Sequence, residues 1–138
     1  MPNTVRRVDY YYCTVPNRAG RGAQVLNAFK DARVNFLAVH AFPDRAQAQI
    51  DFFPEKPKAF LKAAKEAGIK VSPRRTAFLV QGRDRVGVVA EVLEKLGNAK
   101  VNVTALDAVS TGGKFGALLW VKRQNVNKAA RVLGAKRK

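Results

Sequence analysis

Displaced by 67 positions, the sequence falls on itself: Asn17 meets Asp84, Arg18 meets Arg85, Gly20 meets Gly87, Ala23 meets Ala90, Val25 meets Val92 and Leu26 meets Leu93. Farther along, Val34-Asn35 meets Val101-Asn102 and Ala38 meets Ala105. With one residue fewer in the hairpin of the second copy, KAAKEAG (62–68) falls on KAARVLG (128–134). A unit that occurs twice in 138 residues is one supersecondary motif, and neither copy alone has room for a large core. The chain therefore has to solve the same small folding problem twice.

Each copy presents its elements in one order. VDYYYCTV (8–15), rich in aromatic and β-branched residues, reads as a strand that stops at Pro16-Asn17. Gly22, Val25, Leu26, Phe29 and Ala32 then recur at helical spacing, as do Val89, Val92, Leu93 and Leu96. VNFLAVHAF predicts a second strand turning at Pro43-Asp44, and AQAQIDFF a third with Ala48, Ile50 and Phe52 on one face. KPKAFLKAAKEAG is a second helix, with Pro57 in its first turn and Gly68 at its end, and IKVS a short fourth strand. The fold class is α+β: two ferredoxin-like βαββαβ repeats, antiparallel sheets with the helices on one face. The expected ranges are 8–73 and 74–134, followed by a basic tail, 135–138.

The second copy runs TAFLVQ, a helix from Val88, VNVTALDAV, a turn at Thr111-Gly112-Gly113, KFGALLWV and a helix from about Asn125 to Leu133. Only Ala135 and three bases remain for its last strand, so its sheet is expected to lack one edge strand and to need cover from the other repeat or another subunit. In KFGALLWV, Phe115, Ala117, Leu119 and Val121 share one face while Leu118 and Trp120 share the other, which predicts burial on both sides. Apolar residues on both faces predict sheet packing and a homodimer.

Several functional classes are disfavoured by composition. Cys13 is the single cysteine, so no intramolecular disulfide forms and a reducing compartment fits. No apolar run approaches the ~20 residues of a membrane helix, and the expected location is cytoplasmic, with no membrane partner. The 26 Lys+Arg against 10 Asp+Glu raise the question of a polyanion. There are 12 basic and 6 acidic residues before Pro73, and 14 and 4 from there on; most bases stand singly along expected helix faces, as solvated charges do.

A strand ending in Asn/Asp-x-x-Gly, a helix with Leu at its centre and a second strand opening Val-Asn resembles the ACT domain, a small ligand-sensing module of amino-acid metabolism. DRVGVVAEVLEKLGNAKVNV (84–103) carries the resemblance more closely and NRAGRGAQVLNAFKDARVNF (17–36) more loosely; the resemblance covers both repeats, residues 8 to 134. The family commonly has Pro before the loop glycine, where Ala19 and Val86 stand here. The resemblance implies a non-catalytic regulator that binds an amino acid or similar small carboxylate and signals to a partner enzyme. It places the ligand between one module's loop (Asn17, Arg18, Ala19, Gly20 or Asp84, Arg85, Val86, Gly87) and the second strand of a neighbouring module, at Asn35 or Asn102. The physics agrees with the loop positions. Glycine allows close backbone approach, and the helix start behind it offers free N–H groups and partial positive charge to a carboxylate. Asn35 and Asn102 can both donate and accept. The plainer alternative is that Asn17 and Asp84 cap helices, the glycines make turns and the asparagines enter strands.

Nothing points to catalysis, a cofactor or a metal. His40 stands alone in an expected strand, Cys13 lies between aromatics, and one His with one Cys gives no metal-ligand spacing. GGKFG (112–116) is a hairpin turn and not a phosphate loop. Two other functions stay open. The RNA-recognition motif shares the element order and stacks bases on sheet aromatics, and Tyr10, Tyr12, Phe53, Phe78, Phe115 and Trp120 lie on comparable strands here. An ACT-type interaction module without a small ligand is the other.

Overall fold

The computed structural model describes residues 3–136. In chain order its elements are β1 (Thr4–Pro16), α1 (Arg21–Asp31), β2 (Phe36–Asp44), β3 (Gln47–Pro54), α2 (Pro57–Glu66), β4 (Arg75–Arg83), α3 (Val88–Asn98), β5 (Val103–Thr111), β6 (Lys114–Val121) and α4 (Val126–Leu133). A 3-10 turn, Arg123–Asn125, leads into α4. The backbone divides into two compact units, Asp9–Arg75 and the residues up to Val8 together with those from Thr76 on. Each has the α+β, ferredoxin-like arrangement expected from the repeat.

In the first unit the strand order is β2-β3-β1, antiparallel at each step. Phe29 of α1, Phe52 of β3 and Phe60 of α2 are wholly buried between sheet and helices, with Tyr11, Cys13 and Ile50 beside them. Ring centroids lie 4.7 Å apart for Phe29–Phe60 and 5.2 Å for Phe29–Phe52, within aromatic contact distance. The second unit repeats the order as β5-β6-β4 but fills its core mostly with aliphatic groups: Val80, Val88, Val92, Leu96, Val101 and Leu119, with Phe78 and Phe115.

Strand registers agree between the units. Tyr11 opposes Phe52 as Phe78 opposes Leu119, Phe42 opposes Gln49 as Val109 opposes Gly116, and a register shift recurs at Phe36/Ala38 and Val103/Ala105. The 67-residue displacement thus survives the hairpin intact. The missing residue of the second copy lies after the third strand, on the way to the second helix, and not in the hairpin. The first hairpin also turns later than expected. Pro43 and Asp44 pair with Ala48 and Gln47, leaving Arg45-Ala46 as the turn with Arg45 at φ 62. Proline is tolerated because β2 is an edge strand whose outer N–H groups have no ladder to serve. Gly112 and Gly113, at φ 58 and 79, form the matching two-residue turn in the second unit.

The fourth strands differ most from expectation. Residues 69–74 are not a strand. The Ser72 N–H donates to the Tyr12 carbonyl at 2.8 Å, but the Tyr12 N–H donates to Ser72 Oγ at 3.0 Å, and Pro73 has no N–H to continue a ladder. In the second unit the strand beside β4 comes from the front of the chain. β1 begins at Thr4, ahead of the expected Val8, and neighbours β4, with Thr4 Oγ1 3.5 Å from the Gln81 carbonyl. Lys136 adds a single bridge to Arg6, donating its N–H to Val5 and accepting from Arg7, each at 2.9 Å. Arg137 and Lys138 of the expected tail lie outside the described residues.

β6 is buried on both faces as its pattern implies: Phe115, Ala117, Leu118, Leu119, Trp120 and Val121 are all buried. No helix among the described residues is long and apolar enough to cross a membrane.

Candidate functional site

Where β1 meets α1, and β4 meets α3, the chain must reverse into a helix within four residues. Gly20 (φ 85, ψ −13) and Gly87 (φ 81, ψ 6) are the residues immediately before each helix, and both adopt the left-handed conformation. An L side chain there costs about 1–2 kcal/mol. Apart from the glycine and its two chain neighbours, no heavy atom lies within 4 Å of where a Cβ would stand at either position, so conformation alone accounts for the residue type. The capping role considered for Asn17 and Asp84 is not what the structure shows. Neither helix start receives a side-chain cap, and the capping positions are the glycines themselves. Asn17 and Asp84 instead tie the loop to the hairpin of its own unit through their backbone N–H groups, which donate to the carbonyls of Ala46 and Gly113, each at 3.0 Å.

Beyond that shared frame the loops diverge. In the second, the Asp84 carboxylate accepts from Ser110 Oγ at 2.7 Å, and Arg85 pairs with Glu91 in the first turn of α3. The Arg85 hydrogen bond holds the Glu91 carboxyl below the usual glutamate range and raises Arg85 in turn. Repeat equivalence puts Pro43 where Ser110 stands and Gln24 where Glu91 stands. The first loop accordingly has neither contact, α1 carries no acidic residue in its first turn, and Arg18 and Arg21 flank the loop glycine. Ala19 and Val86 are both exposed, Val86 completely. Only the second loop has its helix dipole answered from within. Ser110 and Glu91 were not among the expected site residues; aligning the two copies position by position is what would have singled them out.

Asn35 and Asn102 lie far from the loops of their own units. β1 and β2 both run antiparallel to β3, so the start of β2 is at the end of the sheet opposite the close of β1. Nine residues of strand separate Asn35 from the loop end, roughly 30 Å at ~3.3 Å per residue. The same holds for Asn102 and β5. Asn35 Nδ2 donates to Glu55 at 3.3 Å, and its carbonyl accepts from the Glu55 N–H at 3.0 Å. It also borders an open depression of about 450 Å³ with Leu26, Lys30, Arg33, Val34 and Phe36. Asn102 is exposed.

The remaining candidates are structural. Cys13 is buried, and burial pushes its thiol up to about 11, leaving little thiolate for chemistry. His40 lies against the Phe42 ring and opposite Asp51, which is buried and accepts from Gln49 Nε2 at 2.9 Å. Phe78 and Phe115 belong to the helix-side core, while Tyr10, Phe53 and Trp120 are also buried. The half-buried Tyr12 carries the Arg75 guanidinium 5.1 Å from its ring centre. This set of rings offers no open platform for stacking bases.

Two βαββα units in tandem, each turning from its first strand into its first helix at a left-handed glycine, constitute the tandem ACT-type fold. Among solved structures, protein BT0572 from Bacteroides thetaiotaomicron is similar with a TM-score of 0.83 at 16% identity, over 94% of this chain and 88% of that one. The ligand-free regulatory subunit of aspartate kinase from Thermus thermophilus gives 0.64 at 12% identity, over 97% and 95%. Aspartokinase alpha and beta subunits give 0.63 at 18%, over 96% and 95%. No family model and no curated protein matches the sequence.

Proposed function

We propose that the protein is a non-catalytic cytoplasmic regulator that holds a small carboxylate, an amino acid or close analogue, at its first glycine loop and passes occupancy to a partner enzyme of amino-acid metabolism. The observation that carries this is the unanswered start of α1. Its loop glycine is left-handed, no side chain caps it, no acid neutralises it, and Arg18 and Arg21 stand beside it. A carboxylate there would meet backbone N–H groups, the positive end of the helix and a guanidinium together. The second loop is the poorer anion site because Asp84 and Glu91 already put carboxylates there. Asn35 and Asn102 stand at the far ends of their sheets, so neither serves a ligand bound at the loop of its own unit. A neighbouring module is needed to bring an asparagine to the loop, and we propose a homodimer to supply it, with modules over 8–73 and 74–134. The shared fold with regulatory subunits of aspartate kinase supports an enzyme as the partner.

A ligand can shift the protein only by its different affinity for two packings. The test is a thermal-shift screen of nucleic-acid-free protein against the twenty amino acids. At about a hundred times its dissociation constant a ligand adds ~2.7 kcal/mol, several degrees for a chain this size. Gly20→Val should abolish the response and Gly87→Val should retain it, both variants remaining folded by circular dichroism. Silence toward every amino acid, or a response lost only in Gly87→Val, would count against the proposed site.

A further inference from the structure

The strongest feature left unused is charge, and the fold gathers it. Residues 108–138 contain eight Lys and Arg and no Asp or Glu. In the second unit its described part, up to Lys136, forms the end of β5, β6, the 3-10 turn and α4, and Lys136 bridges Arg6. The Arg7 guanidinium donates to the neutral Asn127 amide at 2.8 Å. On α4, Asn127 and Arg131 are four residues apart and share a face. Lys122, Arg123, Lys128, Arg131 and Lys136 are all exposed. None of these five makes an ion pair among the described residues. The exposed acids of the unit's helices stand on α3, where Glu91 is already engaged by Arg85. Cations set side by side without counter-charge raise the free energy of the isolated protein, and a polyanion relieves it.

From this geometry we infer that the α4 edge of the second unit binds the phosphate backbone of duplex nucleic acid without reading sequence. An anionic membrane is the poorer fit. Among the described residues the exposed large apolar ones are Leu37, Val39, Phe42, Leu61, Val86 and Val109, none of them on α4 or the described segments flanking it, so none of these inserts among acyl chains there. Single strands are the poorer fit as well, since Phe115 and Trp120 are buried and offer no stacking surface. What remains is spaced, flexible cations on a helix face, the chemistry of backbone contact. This inference does not depend on the small-ligand proposal.

Fluorescence anisotropy with a labelled 20-base-pair DNA duplex, titrated over a salt series, tests it. The triple variant Arg123→Gln/Lys128→Gln/Arg131→Gln is compared with Lys58→Gln/Lys62→Gln/Lys65→Gln on α2, which removes the same charge from the other unit. The α4 variant should bind at least roughly tenfold more weakly at 0.1 M salt, with its log–log salt slope reduced by about 0.9 for each phosphate it no longer neutralises. The α2 variant should stay within about twofold of the parent, and both should keep the parent melting temperature within a few degrees. Equal losses in the two variants would show a response to net charge alone and overturn the assignment. So would no measurable duplex binding, or vesicles containing phosphatidylserine bound in place of the duplex.

Discussion

The two units solve one fold with different interiors. At positions equivalent under the repeat, Phe29 in the first unit is Leu96 in the second, Phe52 is Leu119, Tyr11 is Phe78 and Cys13 is Val80, and each of these is buried. Hydrogen-bonding register and both helices persist through the exchanges. A pattern of apolar positions therefore specifies this fold more than particular side chains do. The exchange reaches the sheet's other face too, where the buried Asp51 stands at the position of Leu118. The loops teach the complementary lesson. Their glycines match to within a few degrees of φ while their charges do not, so backbone conformation and loop charge have separated.

Truncating the equivalent core residues should bring the largest effects. Phe29→Ala is expected to cost ~3–5 kcal/mol, and Leu96→Ala ~2–5 with a value below that of Phe29→Ala, because Phe29 makes ring contacts with Phe36, Phe52 and Phe60. Urea unfolding of both variants measures this, and a costlier Leu96→Ala would break the ranking. Next come Gly20→Ala and Gly87→Ala. With similar positive φ and open space at both, each should cost about 1–2 kcal/mol, the same within error. A clear inequality would mean that the frames are not equivalent.

The smallest effect belongs to the Arg85–Glu91 pair, which only the second loop has. Glu91 is acidified by folding, so the unfolded chain takes up its proton first as pH falls. The pair's contribution is full at neutral pH and declines as pH drops through and below the usual glutamate range. Melting temperatures of the parent and Glu91→Gln should differ near pH 7 and converge toward pH 3. A gap that stays constant would remove the pair from the account.

Much of this was legible in the residues because it is local or periodic. Gly20 and Gly87 mark the loops, apolar spacing marks the helices, and the doubly apolar KFGALLWV announces its own burial. Pro43-Asp44 misled because it has turn chemistry, yet an edge strand tolerates it. IKVS has strand composition, but Pro73 and the Ser72 hydroxyl interrupt the ladder. Least legible was the use of residues 4–8 beside β4, since nothing in VRRV names a partner so far along the chain. For the site, the loops could be placed from sequence, but the internal neutralisation of the second required Ser110 and Glu91 to be brought next to it.

The shared strand β1 also sets an order of events in time. During synthesis residues 4–8 emerge well before their partners: Arg7 and Asn127 are 120 residues apart. The Asp9–Arg75 unit can close as soon as it is made, whereas the other must wait until α4 leaves the exit tunnel. Until then residues 4–8 are an unpaired edge held in reserve, and the later-made unit is the one whose completion depends on residues made before the other unit.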